Sequence, residues 1–151
     1  MDTTTSAPHL EVRRTYPVPP RAVFDAWTNA QALGSWFCPS PDLTVVVHAL
    51  DLRVGGQYRI EMRPPMGPTH IVSGAYTELD DARRLAFTWR WETSAMDDES
   101  LVTVDLVPVE GGTELILRHS RLASEKSRAG HAEGWHASLA RLAAILPTPT
   151  P

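Results

Sequence analysis

The sequence has a single cysteine, Cys38, so no disulfide can close within the chain. That usage suits a reducing compartment. An excess of positive charge is also missing. Fourteen Lys and Arg against 18 Asp and Glu leave a net charge of −4, and no basic run occurs. Nucleic acid, whose phosphates demand a basic face, is therefore not an expected partner. No stretch approaches the ~18–20 apolar residues that a membrane-spanning helix needs. The first residues, MDTTTSAPHLEV, carry neither a basic head nor an apolar run, so they do not read as a secretory signal. The expected location is the cytoplasm.

Catalytic signatures are equally scarce. There is no G-x-S-x-G elbow and no phosphate-cradling loop. The glycine pairs at 55–56 and 111–112 read as turns. His9, His48, His70 and His136 are scattered, and no pair has the spacing of a zinc site, so neither a metal nor a cofactor is expected. Asp105 and Glu61 fall on the outward face of their strands. No inward carboxylate pair is then available for acid–base work.

What is present is a globular composition. Hydrophobic residues make up 42% and charged residues 21% of 151 positions, a size suited to one domain. LEVRRTYP reads as a strand near 9–16, ended by Pro17. Pro19-Pro20 opens a helix with Val23, Phe24 and Trp27 on one face. A second short helix, about 30–36, ends in Trp36-Phe37 and is broken by CPSPD. Strands follow. In GQYRIEMR, Tyr58, Ile60 and Met62 alternate with Gln57, Arg59, Glu61 and Arg63. In THIVSGAYTEL, Gly74 marks a bulge or bend. In LAFTWRW, Leu85, Phe87, Trp89 and Trp91 share a face. LVTVDLVPV and TELILRHS form a hairpin through EGG, with Leu115, Leu117 and His119 pointing inward. A long helix from Ser124, a cap residue, to Leu146 closes the fold and carries a stripe of Trp135, Leu139, Leu142, Ile145 and Leu146. The order β, α, α, six strands and a long helix implies an α+β domain whose curved antiparallel sheet wraps that helix. Residues 9–146 form the domain, between a flexible N-terminus (1–8) and a flexible Pro/Thr tail (147–151).

The segments YPVPPRAVFDAWTNAQALGSWF, DLRVGGQYRIEM, GAYTELDDARRLAFTW, GGTELILRHS and GHAEGWHASLARLAAIL, in this order, resemble the SRPBCC, or START-like, superfamily. More narrowly they resemble its branch of homologues of the activator of the heat shock protein 90 ATPase. The resemblance runs from about residue 10 to 146. It implies a helix-grip fold: a seven-stranded antiparallel sheet around the C-terminal helix, with a deep cavity between them. Members of the superfamily commonly bind hydrophobic small molecules there, and some catalyse cyclisation or hydrolysis. The resemblance does not reach the extra N-terminal domain of the eukaryotic co-chaperone, which weakens chaperone activation as a role. Cys38 stands where related chains often read glycine, and its own reading is a half-buried small apolar residue.

Within that frame the expected ligand-binding residues are Trp36, Phe37, Tyr58, Met62, Trp89, His119, His131, Trp135 and Leu139. Trp36, Tyr58, Trp89, His119 and Trp135 are expected to border an enclosed cavity between sheet and long helix. Apolar and aromatic walls with a few placed polar groups are what ligand cavities have. His131 heads the helix stripe and His119 lies on an inward strand face. Each reads either as a core histidine with its partners or as a pocket wall. Gly130 and Gly134 beside His131 either let the backbone approach the sheet or leave an opening. The leading expectation is a binding module, monomer or homodimer, for a hydrophobic or aromatic small molecule. The alternatives are an enzyme of the cyclase or hydrolase kind using the inward histidines, and a co-chaperone-like interaction module using the outer sheet face.

Overall fold

A computed structural model of the chain describes residues 9–93 and 99–147. The expected flexible N-terminus (1–8) and positions 148–151 of the expected tail lie outside the described residues. The elements are β1 (His9–Tyr16), α1 (Pro20–Thr28), α2 (Ala30–Trp36), β2 (Thr44–Leu50), β3 (Gln57–Arg63), β4 (His70–Asp80), β5 (Arg84–Trp91), β6 (Ser100–Val109), β7 (Gly112–Ser120) and α3 (Glu125–Ile145). The strands form one sheet in the order β1-β7-β6-β5-β4-β3-β2, every pair antiparallel. This is the helix-grip architecture. Chain-consecutive strands are neighbours, apart from β1, which closes against β7.

Side-chain alternation sets the inner face. On β3, Tyr58, Ile60 and Met62 are buried, and on β7 Leu115, Leu117 and His119 are. Glu61 also has little exposure although it points outward. His48 Nε2 (2.7 Å), Arg63 Nε (2.9 Å) and the Thr69 hydroxyl (2.9 Å) close over its carboxylate. The Arg63, His48 and Thr69 hydrogen bonds hold that carboxyl down to about 2.

The sheet bends where β4 meets β5. A Cβ on Gly74 would sit 2.0 Å from the Thr88 carbonyl oxygen, so only glycine fits there. Regular pairing lapses next to it. The Ala75 N–H donates to Thr88 Oγ1 (2.9 Å), and the Tyr58 hydroxyl donates to the Thr88 carbonyl (2.6 Å). The register then shifts by one between Tyr76 and Glu78. Bulges of this kind raise local twist and curl the sheet.

The Ser124 side chain caps α3 by accepting from the Ser127 N–H (3.0 Å). Trp135, Leu139 and Leu142 are buried as the stripe predicts, but Ile145, in the last turn, is 38% exposed. The buried stripe thus ends at Leu142. The Tyr16 hydroxyl of β1 donates to the Leu139 carbonyl (2.9 Å), tying the middle of the helix to the sheet edge. At Gly130 and Gly134 an added Cβ would meet nothing within 4 Å. These glycines therefore bring no backbone close to the sheet, and they leave open space. Cys38 is fully buried rather than half-buried, its Sγ donating to the Ser40 carbonyl at 3.3 Å.

Candidate functional site

The interior is aromatic from end to end. α1 and α2 supply Trp27 and Trp36, 4.8 Å apart edge to face, and Phe37 packs 5.3 Å from Trp36. Phe37 reaches Trp89 of β5 at 6.0 Å and Trp135 of α3 at 5.8 Å. Trp89 and Trp135 stand 5.0 Å apart. Tyr58 and Tyr76 join through Phe87. Edge-to-face contacts of this kind add to the energy of burial itself.

The rings leave little space. A small cavity of about 10 Å³ lies between the two short helices and the sheet, lined by Trp27, Leu33, Phe37, Tyr58, Ile60, Tyr76, Leu85 and Phe87. That is room for about one water. Of the residues expected to border an enclosed cavity between sheet and α3, Trp36, Tyr58, Trp89, His119 and Trp135, this space is lined by Tyr58. It lies toward α1 and α2. Phe37 and Tyr58 line it. Trp36, Trp89 and Trp135 adjoin it through ring contacts with Trp27 and Phe37. Met62 and Leu139 are buried in the same core without lining it, and His119 and His131 lie on the far side of Trp89 and Trp135. Leu33 and Tyr76, which also line the space, were not singled out from the sequence. Leu33 sits mid-helix without a chemical signature, and Tyr76 shares the inward parity of Val72 on β4.

The two histidines are neighbours, with ring centroids 5.0 Å apart. His119 is fully buried. Its Nδ1 accepts from the Trp135 indole N–H (3.1 Å). Its other nitrogen must then carry the proton. Nε2–H donates to Ser100 Oγ (2.8 Å), and the Ser100 hydroxyl donates to the Trp89 carbonyl (3.0 Å). Burial, aided by His131, pulls His119 down to about 3. His131 has the opposite tautomer. Nε2 accepts from the Trp91 indole N–H (3.0 Å), so Nδ1–H donates to the Ser127 carbonyl (2.8 Å). A serine and a histidine in hydrogen-bond contact resemble a nucleophile and its base. Here the proton order is reversed, since the imidazole donates to the hydroxyl. A base needs the hydroxyl to donate to the ring. Ser100 is the partner that sequence reading missed, because the strand begins one residue earlier than its alternation suggests.

The other indoles divide sharply. Trp36 Nε1–H donates to the Ala26 carbonyl (2.9 Å). Trp27 Nε1 and Trp89 Nε1 are buried and find no acceptor among the described residues. Trp27 lines the cavity, and Trp89 packs against Phe37 and Phe87, which line it. A buried donor left unmet costs about 1–3 kcal/mol, so each such group requires an explanation.

The outer face is ionic. Glu11, Arg118, Asp105, Arg84 and Glu78 form a chain of ion pairs at 3.0, 3.5, 2.7 and 2.9 Å across β1, β7, β6, β5 and β4. Ile116, on that face, is 9% exposed and so offers no apolar patch. No group of three or more His, Cys, Asp or Glu able to hold a metal ion occurs among the described residues. Among those residues no helix is long and apolar enough to cross a membrane.

With this geometry in view, the chain matches known proteins over its whole domain. No curated protein matches it. Solved structures do. A Chromobacterium violaceum protein is 27% identical, with 93% of this chain and 98% of that chain covered, at a TM-score of 0.86. A Rhodobacter sphaeroides protein is 26% identical over 93% of each chain, at a TM-score of 0.80. The AHSA1 protein of Silicibacter pomeroyi is 30% identical over 91% of this chain and 96% of that one, at a TM-score of 0.78. Residues 17–147 match the family model described as activator of Hsp90 ATPase homolog 1-like protein, and the chain belongs to that family.

Proposed function

We propose that the chain is a binding module for a hydrophobic or aromatic small molecule, held in the aromatic interior between α1, α2 and strands β3–β5. The observation that carries the reading is that Trp27, whose buried indole N–H has no partner among the described residues, lines a cavity otherwise walled by apolar and aromatic side chains. Buried donors without a partner are few in native interiors, so one beside a cavity favours a group supplied from outside the chain. The helix-grip fold of this family, which commonly takes hydrophobic ligands, supports the same reading.

The small volume sets a condition. Ligand sites for drug-sized molecules measure ~300–1,000 Å³, far above the space present. Binding therefore requires the α1–α2 side of the interior to open and rings such as Phe37 to move. A ligand that binds the open state shifts the population toward it. The histidines belong to the frame of the site. Both nitrogens of each ring are engaged within the protein, so neither presents a free nitrogen to a bound molecule.

Two measurements test this. Native mass spectrometry of protein purified from its own host is expected to show a retained small molecule. Titration with N-phenyl-1-naphthylamine, an uncharged apolar fluorophore, is expected to give a saturable one-to-one fluorescence rise. Protein that carries no molecule and gives no saturable rise would overturn the reading.

A further inference from the structure

We infer that the ligand is uncharged and bears a hydrogen-bond acceptor, such as a ketone, ester or ether oxygen, directed at the Trp27 indole N–H. This rests on the interior being the ligand site and goes on to name the class of ligand.

Three features of the interior carry it. First, two buried indoles in and beside the cavity wall carry unmet donors. Trp27 Nε1 and Trp89 Nε1 are both buried, in side chains only 2% and 5% exposed, and neither has an acceptor among the described residues. An acceptor on the ligand gains a bond without breaking one inside the protein. Second, the histidine nitrogens have no lone pair left for a donor-bearing ligand. The Trp135 indole occupies His119 Nδ1, and the Trp91 indole occupies His131 Nε2. Third, no charged side chain lines the cavity. An ionised carboxylate or ammonium brought there would lose its water with no counter-charge, which is far more costly than burying a neutral carbonyl. His119 does not supply the missing cation, since burial keeps it neutral.

The choice of tryptophan supports this. Trp36, Trp91 and Trp135, in the same cluster, each donate to a protein acceptor. A site that asks for an oxygen rejects an analogue lacking it, because the donor is then left bare. The expected discrimination is that of one hydrogen bond, up to roughly tenfold in affinity.

The test compares 2-acetylnaphthalene, 2-ethylnaphthalene and 2-naphthoate, probes of similar size that differ in acceptor and charge. The readouts are dissociation constants and the indole ¹H–¹⁵N signals of the full chain, where each tryptophan gives its own peak. The ketone is expected to bind and to move the Trp27 peak. In Trp27→Phe, which keeps an aromatic wall but removes the donor, the ratio of ketone to hydrocarbon affinity is expected to fall by roughly three- to tenfold. 2-Naphthoate is expected to bind at least roughly tenfold more weakly than the ketone. Equal ratios in the two proteins with an unmoved Trp27 peak would overturn the inference while leaving the interior as a ligand site. Naphthoate binding as tightly as the ketone would overturn it in the same way. Failure of all three probes to bind would overturn the underlying reading itself. Should Trp27→Phe not fold, the Trp27 peak of the unmodified chain decides, since a ketone that binds without moving it refutes the contact.

Discussion

Acid is expected to loosen this protein through one residue. His119 is neutral in the folded chain and held near 3 by burial, with a contribution from His131. In the unfolded chain it titrates near the ordinary histidine value of about 6.5. Its folded-state pKa is thus depressed, so the unfolded state binds the proton first, and stability falls as pH drops below about 6.5. Each pH unit in that window is worth about 1.4 kcal/mol. Integrated from pH 7.5 to pH 5 the loss is about 2 kcal/mol, and it continues to grow down to about pH 3. Glu61 adds a second, separate window. Its folded value of about 2 lies below the ordinary carboxyl range, so its contribution is present above about 4.5 and disappears as pH falls toward 2. Between pH 6.5 and 4.5 the slope therefore belongs to His119. Urea unfolding at half-unit pH steps measures it, and about 2 kcal/mol moves the midpoint by roughly 1 M urea. In His119→Gln the slope in that window is expected to vanish. The ring signals of His119 in the intact protein are expected to stay those of a neutral imidazole down to pH 4. A flat stability profile in the unmodified chain, or a slope retained in His119→Gln, would refute the assignment.

Further outcomes follow from packing. Leu139→Ala, at a fully buried position in the middle of α3, is expected to cost ~2–5 kcal/mol in denaturant unfolding. Gly130→Ala and Gly134→Ala, where a Cβ meets nothing, are each expected to stabilise by about 0.5–1 kcal/mol, read as a rise in Tm. Gly74→Ala is expected to destabilise by ~1–3 kcal/mol, since its Cβ would overlap the Thr88 carbonyl, and to disturb the Tyr58 hydroxyl bond visible in the same assay by tyrosine absorbance.

The fold is legible where one physical rule acts alone. Strict alternation in Gln57–Arg63 places Tyr58, Ile60 and Met62 inward without help from the rest of the chain. Ser124 before an amphipathic run marks the start of α3, and it is the capping residue. The site is less legible because its details arise between elements. That His119 faces inward follows from alternation. That its proton sits on Nε2 follows from Trp135, sixteen positions away, and from Ser100 on the neighbouring strand. The volume of the interior is beyond the sequence for a related reason. Periodicity shows which side chains point inward, but the space they leave depends on how rings from α1, α2, β3, β4, β5 and α3 interlock. The exposure of Ile145 is also beyond periodicity, which continues a stripe regardless of whether anything lies opposite it.

The same cluster distinguishes a frame from a site. A polar chain runs from Trp135 on α3 through His119 on β7 and Ser100 on β6 to the Trp89 carbonyl on β5, and a second links Trp91 on β5 to His131 on α3. These bonds fasten the N-terminal half of α3, the half that carries Gly130 and Gly134 and gains least from its own propensity. Leu139, Leu142 and the Tyr16 hydroxyl fasten the other half. Each group that takes part in the two chains has its partner, which is the condition under which a buried polar network adds rigidity rather than cost. Trp27 and Trp89 stand against that background. The same fold supplies acceptors to three indoles and withholds them from two, and one of those two lines the remaining space. The unmet Trp27 donor therefore lies on the α1–α2 side of the interior, and that is where a bound molecule has most to gain.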